Sequence, residues 1–477
     1  FVDLKRYDEA ITHYEKAIQL NPDMDFLFGD YLHARMKVCS WDLVEESINM
    51  CVNKIAGLNP VIRPFPLLSL IDDPSVHKLC SQIYIRTKHP MDSDREPYKI
   101  GDAGEKIRIG YYSADFHNHP ISYLTAQLFE EHDRHRFEIH GFSFGPNTAD
   151  EMRRRISSAL HEFHDVSYMG DSDIVKLSRN LGIDIAVDLT GFTQNSRTRI
   201  FARRCAPIQV NFLGHAGTMG AEYIDYVITD KIVTPVESQS DFTEKFVRMP
   251  HSYLVNDSKR KISEKVFSKK ELGLPGNGFT FCCFNNNYKI LPTIFDIWMR
   301  ILGAIDGSVL WLYEDNPSAS KNLRKEAERR KIDGDRLIFA KYMPPDEHLA
   351  RLKQADLFLD TLPYNAHATA SDALRMGLPL LTCLGKSFAG RVAASLLHAL
   401  DLPELIADSL DNYERMAIEL AVNPEKLATI KNKLDRKRLG APLFDGKLFA
   451  EHIEKAYRKM FDRHRAGLPP DMIDVVE

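Results

Sequence analysis

From residue 106 onward, short apolar runs alternate with stretches whose apolar residues recur every three or four positions. IRIGYYSAD (107–115), FEIHGFSF (137–144), IDIAVDLTG (183–191), IQVNFLG (208–214) and YIDYVITD (223–230) are runs of β-branched and aromatic residues too short for buried helices, so they predict buried strands. Helical periodicity fills 121–132 and 172–181 between them. A second set follows: FTFCCF (279–284), SVLWLY (308–313), RLIFAKY (336–342), LFLD (357–360) and LPLLTC (378–383). Helices predicted at 293–304, 318–331, 346–354 and 370–376 separate these. Strand–helix alternation implies parallel sheets covered on both faces. Two sets joined across the polar stretch 255–270 predict two doubly wound α/β domains, 106–260 and 261–445, with a C-terminal helix and tail at 446–477. Ligands of such sheets bind beyond the carboxyl ends of the strands.

Ahead of the sheets the period changes. Tyr7-Asp8-Glu9-Ala10 is echoed by Trp41-Asp42-Leu43-Val44 at an offset of 34, which also pairs Tyr14 with Ile48 and Ile18 with Val52. That period and YDEAITHYEKAIQLNPD (7–23) resemble a tetratricopeptide repeat, in which stacked helix pairs bury one another's apolar faces. All-α repeats are therefore expected over 1–55, and a helical segment with a proline-rich polar linker over 56–105. Phe1 stands inside the helical pattern, so the array is expected to continue upstream.

Composition narrows the function. With 44% hydrophobic and 27% charged residues the chain reads as an ordinary globular protein. A net charge of −5 supplies no basic field, which argues against nucleic acid as a partner. Its seven cysteines form no CxxC pair or Cys/His ligand spacing, so reduced, buried thiols in a cytoplasmic protein are expected. No apolar run reaches the ~18 residues of a membrane span, and no membrane partner is expected.

Candidate chemistry gathers where strands end. Lys289, in FNNNYKILP, follows the strand 279–284. His348 and Arg351, in PPDEHLAR, open a helix after 336–342. PYNAHATASDAL (363–374) brings His367, Thr369 and Asp372 to the next turn, where Thr369 or Ser371 is the candidate helix cap. A nucleoside diphosphate suits these three turns. Lys289 and helix N-terminal amides would take phosphates, and Asp372 would accept from ribose hydroxyls. In the first domain DFHNHP (115–120) places Asp115, His117 and His119 at a strand end, suited to acid–base work or, with further ligands, a metal. DSD (171–173) and DGD (333–335) read as capping and turn residues. No GxGxxG opens the first βα unit and no Walker loop is present, against dinucleotide oxidoreductases and ordinary kinases.

Together DFHNHP, TGFTQNSR (190–197), APIQVNFLGHAGTMG (206–220), DYVITD (225–230), FNNNYKI (284–290), SVLWL (308–312), HLAR (348–351) and LDTLPYNAHATASDAL (359–374) resemble the O-linked N-acetylglucosaminyltransferase family. The resemblance implies two Rossmann-like domains of the GT-B type behind tetratricopeptide repeats. It also implies an inverting transfer of N-acetylglucosamine from UDP-GlcNAc to Ser or Thr hydroxyls of proteins that meet the repeat segment. The family's diphosphate lysine falls on Lys289. Its uridine and phosphate contacts fall on Asn286, Met343, His348, Arg351, His367, Ala368, Thr369 and Asp372, and the aspartate and histidine of its DFxNHP motif on Asp115 and His119. No cofactor and no metal is expected, because lysine and helix amides take the metal's place at the diphosphate. Animal members carry glutamine at Asn286, lysine at Pro345 and Gln194, and tyrosine–proline at His215-Ala216. The family's upstream histidine falls between 66 and 80, where Asp72, Asp73 and His77 stand as candidates. Alternatives are Spindly-type transfer of fucose from GDP-fucose, another UDP-sugar-dependent protein glycosyltransferase such as the bacterial N-linking glucosyltransferases, and a catalytically dead repeat scaffold.

Overall fold

The computed structural model describes residues 1–92 and 106–477; the part of the expected linker at 93–105 lies outside the described residues. Phe1–Asp73 with Arg260–Ala441 makes one compact unit, and Pro74–Lys259 with Pro442–Glu477 the other. The latter holds β1 (Ile107–Ser113), β2 (Phe137–Ser143), β3 (Glu162–Asp165), β4 (Ile185–Asp188), β5 (Ile208–Asn211), β6 (Tyr226–Asp230) and β7 (Lys245–Met249). The former holds β8 (Thr280–Cys283), β9 (Val309–Tyr313), β10 (Leu337–Ala340), β11 (Leu357–Leu359), β12 (Leu380–Cys383) and β13 (Ile406–Ala407). The chain's last strand, β14 (Ile473–Asp474), returns to the first sheet. Below, these are the β1 unit and the β8 unit.

Among the described residues all strand pairs are parallel, as apolar runs alternating with helices require. Among the described residues the β1 sheet runs β14-β7-β6-β5-β4-β1-β2-β3, and the β8 sheet runs β10-β9-β8-β11-β12-β13. In each, three strands are laid down in one direction and the fourth is added on the far side of the first. The direction therefore reverses between β1 and β4, and again between β8 and β11. Diverging helices leave a crevice at such a point, beyond the strands' carboxyl ends.

Four strands escaped the sequence pattern: β3 (EFHD), β7 (KFVRM), β13 and β14. Three are sheet edges and β7 lies beside one, where one face or one rim meets solvent and no continuous apolar run is required. β14 follows the helix Gly446–Arg465, which is tied to the β1 unit by buried polar groups. The Tyr457 and Tyr111 hydroxyls bond at 3.0 Å. Glu454 Oε1 lies 2.9 Å from His132 Nδ1 and accepts from the Asp133 N–H at 2.8 Å. Arg248 then clamps Asp474 with two bonds of 2.7 and 2.9 Å.

In the β8 unit the chain opens with helices Tyr7–Leu20, Leu27–Lys37 and Val44–Ala56. Trp41, the repeat partner of Tyr7, lies in the turn before its helix rather than in the first helical turn, because its ring packs on Phe295 with centroids 5.2 Å apart. Polar contacts seat these helices: Lys5 pairs with Asp315 at 2.8 Å, and the Asn316 and Asn322 amides donate to the Lys37 and Val38 carbonyls at 2.9 and 2.8 Å. All seven cysteines are buried thiols.

Asp72 closes this docking. Its two oxygens accept from the backbone N–H groups of Lys386 (2.7 Å) and Ser387 (2.8 Å), in the loop after β12. Asp72→Ala strips both amides of a charged acceptor, and an expected loss of about 2 kcal/mol would appear as a lower urea midpoint. Asp72→Asn keeps two acceptor sites on one oxygen only and is expected to fall between.

Candidate active site

In the β8 unit the turns after β8 and β11 flank the reversal point. After β8 the chain makes a short 3-10 turn, Asn287–Lys289, before Pro292 starts the helix Pro292–Ala304. Lys289 is 8% exposed. Its Nζ donates to the Asn365 carbonyl at 2.9 Å and sits 3.6 Å from the centre of the Tyr364 ring. Burial pulls its pKa down, and the nearby Asp360 carboxylate works against that pull. A buried ammonium resting on a carbonyl and a ring face is suited to gaining an anion.

The turn after β11 is organised by Asp360. Oδ1 accepts from the N–H groups of Thr361 (2.8 Å) and Ala366 (2.6 Å) and from the Asn285 amide (3.2 Å), while Oδ2 accepts from Thr382 Oγ1 (2.7 Å). Asn285 reaches across from the β8 turn: its amide also donates to Thr361 Oγ1 (2.7 Å), and its oxygen accepts from Thr369 Oγ1 (2.8 Å). The helix Ala368–Arg375 starts here with His367 at its N-cap and no side-chain cap. Thr369 and Ser371 are therefore inside the helix, not caps as the sequence suggested. The first helical N–H groups have no intrahelical acceptor, as at any helix start, and an anion is a natural partner. His367 leans on Tyr364 (4.9 Å between centroids), with Nε2 3.2 Å from the Ala389 carbonyl. Burial, with Lys289 second, drives its pKa well down, so the ring is neutral.

Beyond β10, Met343 is half-buried in the loop before the helix Pro345–Arg351. Arg351 is buried, its Nε donating to His348 Nδ1 at 3.0 Å and Nη1 to the Lys341 carbonyl at 2.7 Å. His348 thus carries its proton on Nε2, and burial followed by Arg351 lowers its pKa to about 4. Asp372 Oδ1 accepts from Arg260, and His348 feels both of these charges. The structure so joins Lys289 to His367, Thr369 to the β8 turn, and His348 to Arg351.

Two of these partners, Asn285 and Arg260, were missed by sequence reasoning, as was Lys37. The Lys37 ammonium, at the end of the helix Leu27–Lys37, bonds Asn286 Oδ1 at 3.1 Å and lies 4.4 Å from the centre of the Tyr288 ring. Burial brings its pKa to about 8. No one-dimensional pattern connects residue 37 to residue 286.

In the β1 unit, Asp115 follows β1 and Asp188 ends β4, so both sit at that sheet's own reversal point. Asp188 Oδ1 accepts from the Thr190 and Gly191 N–H groups at 2.9 and 3.0 Å, and Thr190 Oγ1 accepts from the Ala114 N–H at 3.0 Å. Gly191 is required: its φ is +55°, and an added Cβ would lie 2.6 Å from the His215 Cβ. Burial, then Asp188, raises the Asp115 pKa to about 7, and burial raises that of Asp188 to about 6. His119 caps the helix Pro120–Glu131, its Nδ1 accepting from the Ile121 N–H at 3.3 Å. Burial, then His117, lowers its pKa to about 4. The 3.7 Å between His119 Nδ1 and Asp115 Oδ1 is therefore no salt bridge. The ring is neutral, its Nδ1 is an acceptor, and its proton is on Nε2.

Of the candidates between 66 and 80, Asp72 is occupied by the Lys386 and Ser387 amides, and His77 is buried in the β1 unit, where it adds to the effect of burial in lowering the pKa of His215. GFSFG (141–145) has the spacing of a serine-nucleophile turn. Ser143, however, is a buried residue of β2 whose Oγ accepts from Arg153 at 2.9 Å. DSD opens the helix Asp171–Asn180, and Asp333 of DGD caps the turn Gly334–Arg336.

Asp115 carries a pH signature. Its folded pKa lies above the unfolded value, so its contribution to stability is present at low pH and lost as pH rises through about 7. Asp115→Asn removes the titration. The variant's stability relative to wild type is expected to rise between pH 4 and 7 and level off above, by at most about 4 kcal/mol at about 1.4 kcal/mol per pKa unit. Urea unfolding across that range checks it; a flat difference would show an ordinary carboxylate.

Several known proteins are similar to this chain in sequence or fold. The chain matches the model of Glycosyl transferase family 41 over residues 76–266 and 259–453. It is 35% identical over 473 residues to the probable UDP-N-acetylglucosamine–peptide N-acetylglucosaminyltransferase SEC of Arabidopsis thaliana, covering 94% of this chain and 48% of that one. Identity is 28% to the corresponding transferase of Caenorhabditis elegans, over 78% and 42% of the two chains. This chain thus spans about half the length of the curated relatives it matches. A solved O-GlcNAc transferase mutant from Thermobaculum terrenum superposes with a TM-score of 0.80 at 27% identity, covering 98% of this chain and 89% of that one. Sequence and fold agree: the chain belongs to glycosyl transferase family 41.

Proposed function

We propose that this chain is the catalytic part of a protein glycosyltransferase that moves N-acetylglucosamine from UDP-GlcNAc to Ser or Thr hydroxyls, with inversion and without a metal. The observation that carries the proposal is the buried Lys289 beside the uncapped start of the helix Ala368–Arg375. A diphosphate there would meet one ammonium and a set of helix N–H groups, and these stabilise the charge that grows on the leaving UDP as the glycosidic bond breaks. The names of the similar proteins supply the donor and acceptor classes.

Each remaining residue has a place in the proposal. His348, Arg351, Asn286 and Met343 hold the nucleoside, His367 and Ala368 line the phosphates, and Thr369 fixes the helix start through Asn285. Arg260 orients Asp372, whose other oxygen is assigned to the ribose hydroxyls. Asp115 and His119 are the acid–base pair of the β1 unit: the raised pKa of Asp115 suits it to exchange a proton near neutrality, and His119, kept neutral, offers its Nε2–H as a hydrogen-bond donor beside it. The helical repeat segment over 1–55 is assigned to guiding protein acceptors. Truncating it is a poor test, because that would expose Phe295 and unseat Asn286. The setting is cytoplasmic, with neither nucleic acid nor membrane as partner.

UDP at ~100 times its dissociation constant should add about 2.7 kcal/mol of stability, read as a melting shift. UDP-GlcNAc should shift less, and GDP and GDP-fucose not comparably. A shift with GDP and none with UDP would assign the fucosyl chemistry instead. Lys289→Ala is expected to lower turnover by about two to four powers of ten with little change in the melting curve; retention of more than about a tenth of the activity would remove Lys289 from the mechanism.

For His119→Ala, turnover should drop while UDP affinity by calorimetry stays near wild type. Lost UDP binding with unchanged turnover would make His119 a contact to the sugar donor rather than a group acting in the transfer step.

A further inference from the structure

The edge strand β3 carries a cluster that the transfer reaction does not use. β3 pairs with β2 in the register His140↔Glu162 and Phe142↔His164. Alternate residues of a strand share a face, so Glu138 and His140 of β2 and Glu162 and His164 of β3 project from one side of the sheet. Their donor atoms converge: His140 Nδ1 lies 3.3 Å from His164 Nε2, and Glu162 Oε2 lies 3.7 Å from each of those nitrogens. The point equidistant from three atoms so spaced is about 2.1 Å from each, the bond length of Zn²⁺ to imidazole nitrogen and carboxylate oxygen.

The surroundings are those of a ligand set. His140 Nε2 faces Glu138 Oε1 at 2.9 Å, and a carboxylate behind an imidazole fixes its tautomer and turns the other nitrogen's lone pair toward a metal. Burial, the largest influence on both rings, keeps His140 and His164 neutral, the form that coordinates. The His140 side chain is 2% exposed and that of His164 11%, while Glu162 is 54% exposed, so a bound ion has a path to the site and room for water. Two nitrogens and one carboxylate oxygen favour Zn²⁺ and its neighbours over Mg²⁺ or Ca²⁺.

We propose that His140, His164 and Glu162 form a divalent transition-metal site of the Zn²⁺ class that fastens β3, a four-residue polar edge strand, to β2. The role is structural and separate from sugar transfer.

Zn²⁺ titrated calorimetrically into the metal-stripped full chain, with Co²⁺ as a spectroscopic substitute, tests it. One equivalent should bind, give the visible absorption of low-coordinate Co²⁺, and raise the melting temperature. Glu162→Gln, at an exposed position that leaves the fold intact, and His164→Gln should each weaken binding at least about tenfold and cancel the melting shift. Glu138→Gln, behind the ligand, should cost about 10–100-fold. The UDP-induced shift should be the same in all of them, so the outcome stands apart from the transferase proposal. The chain has 18 histidines, and equal Zn²⁺ uptake by wild type and the Glu162 and His164 variants would place the metal elsewhere and overturn the site. No uptake by wild type would do the same.

Discussion

A carboxylate buried at the end of β11 holds the β8 unit's candidate site in shape. Asp360 is 1% exposed, and an ion in that position is tolerable only when its lone pairs are satisfied. Here the acceptors are met by two loop N–H groups, an asparagine amide and a threonine hydroxyl, drawn from the ends of β8, β11 and β12. The same bonds fold the stretch 361–366 back on itself, which delivers the Asn365 carbonyl to Lys289 and sets His367 at the helix start. Taking the carboxylate away would leave several buried donors unmatched at once, with the Thr361 hydroxyl on the Tyr364 carbonyl (2.6 Å) and the Asn365 amide on the Thr361 carbonyl (2.8 Å) still tying the turn internally.

Lys289 is then supported from a second direction. Tyr288 beside it packs among His33 (5.0 Å), Phe65 (6.0 Å) and Tyr364 (6.4 Å), and the first two come from the N-terminal helical segment. Lys37 from that segment bonds Asn286. Within this unit the helical segment is thus one wall of the turn that carries Lys289, not an appendage joined at a distance. Substitutions along Leu27–Lys37 bear on the lysine turn directly, through packing rather than through any long chain of contacts.

The fold class was legible in the sequence because buried parallel strands must be nearly continuous apolar runs, and the chain states ten of them. The turns were legible for a similar reason: a lysine, a His/Arg pair and a His–Thr–Asp group each follow a strand end, where α/β ligands bind. What supports those residues was not legible. Asn285 and Asp360 look like ordinary turn residues until β8 and β11, 76 residues apart between Asn285 and Thr361, become neighbours. Arg260 lies in a polar stretch that reads as a linker, and Asp188 at the end of an apolar run reads as a strand's solvent-facing tip. The edge strands failed for another reason, since solvent on one side removes the pressure for apolar residues. β14 is two residues long, and its place is set by the preceding helix rather than by its own composition.

The two reversal points share a device with opposite signs. In the β8 unit burial works against the positive charge of Lys289, and in the β1 unit it works against the negative charges of Asp115 and Asp188. Desolvation is thus the largest influence on each group, and it disfavours the charged form in all three. An anion arriving at Lys289 restores the charge and gains from the low local dielectric, so the energy of burial already built into the fold becomes selectivity for a charged ligand. For Asp115 the same desolvation keeps a proton available near pH 7, where a carboxylate in water would have lost it. His119, neutral and fixed in one tautomer by the Ile121 N–H, presents its Nε2 proton as a donor. Burial, the largest influence on residues of opposite sign at equivalent places in two sheets, thus prepares one turn to receive charge and the other to hold and release protons.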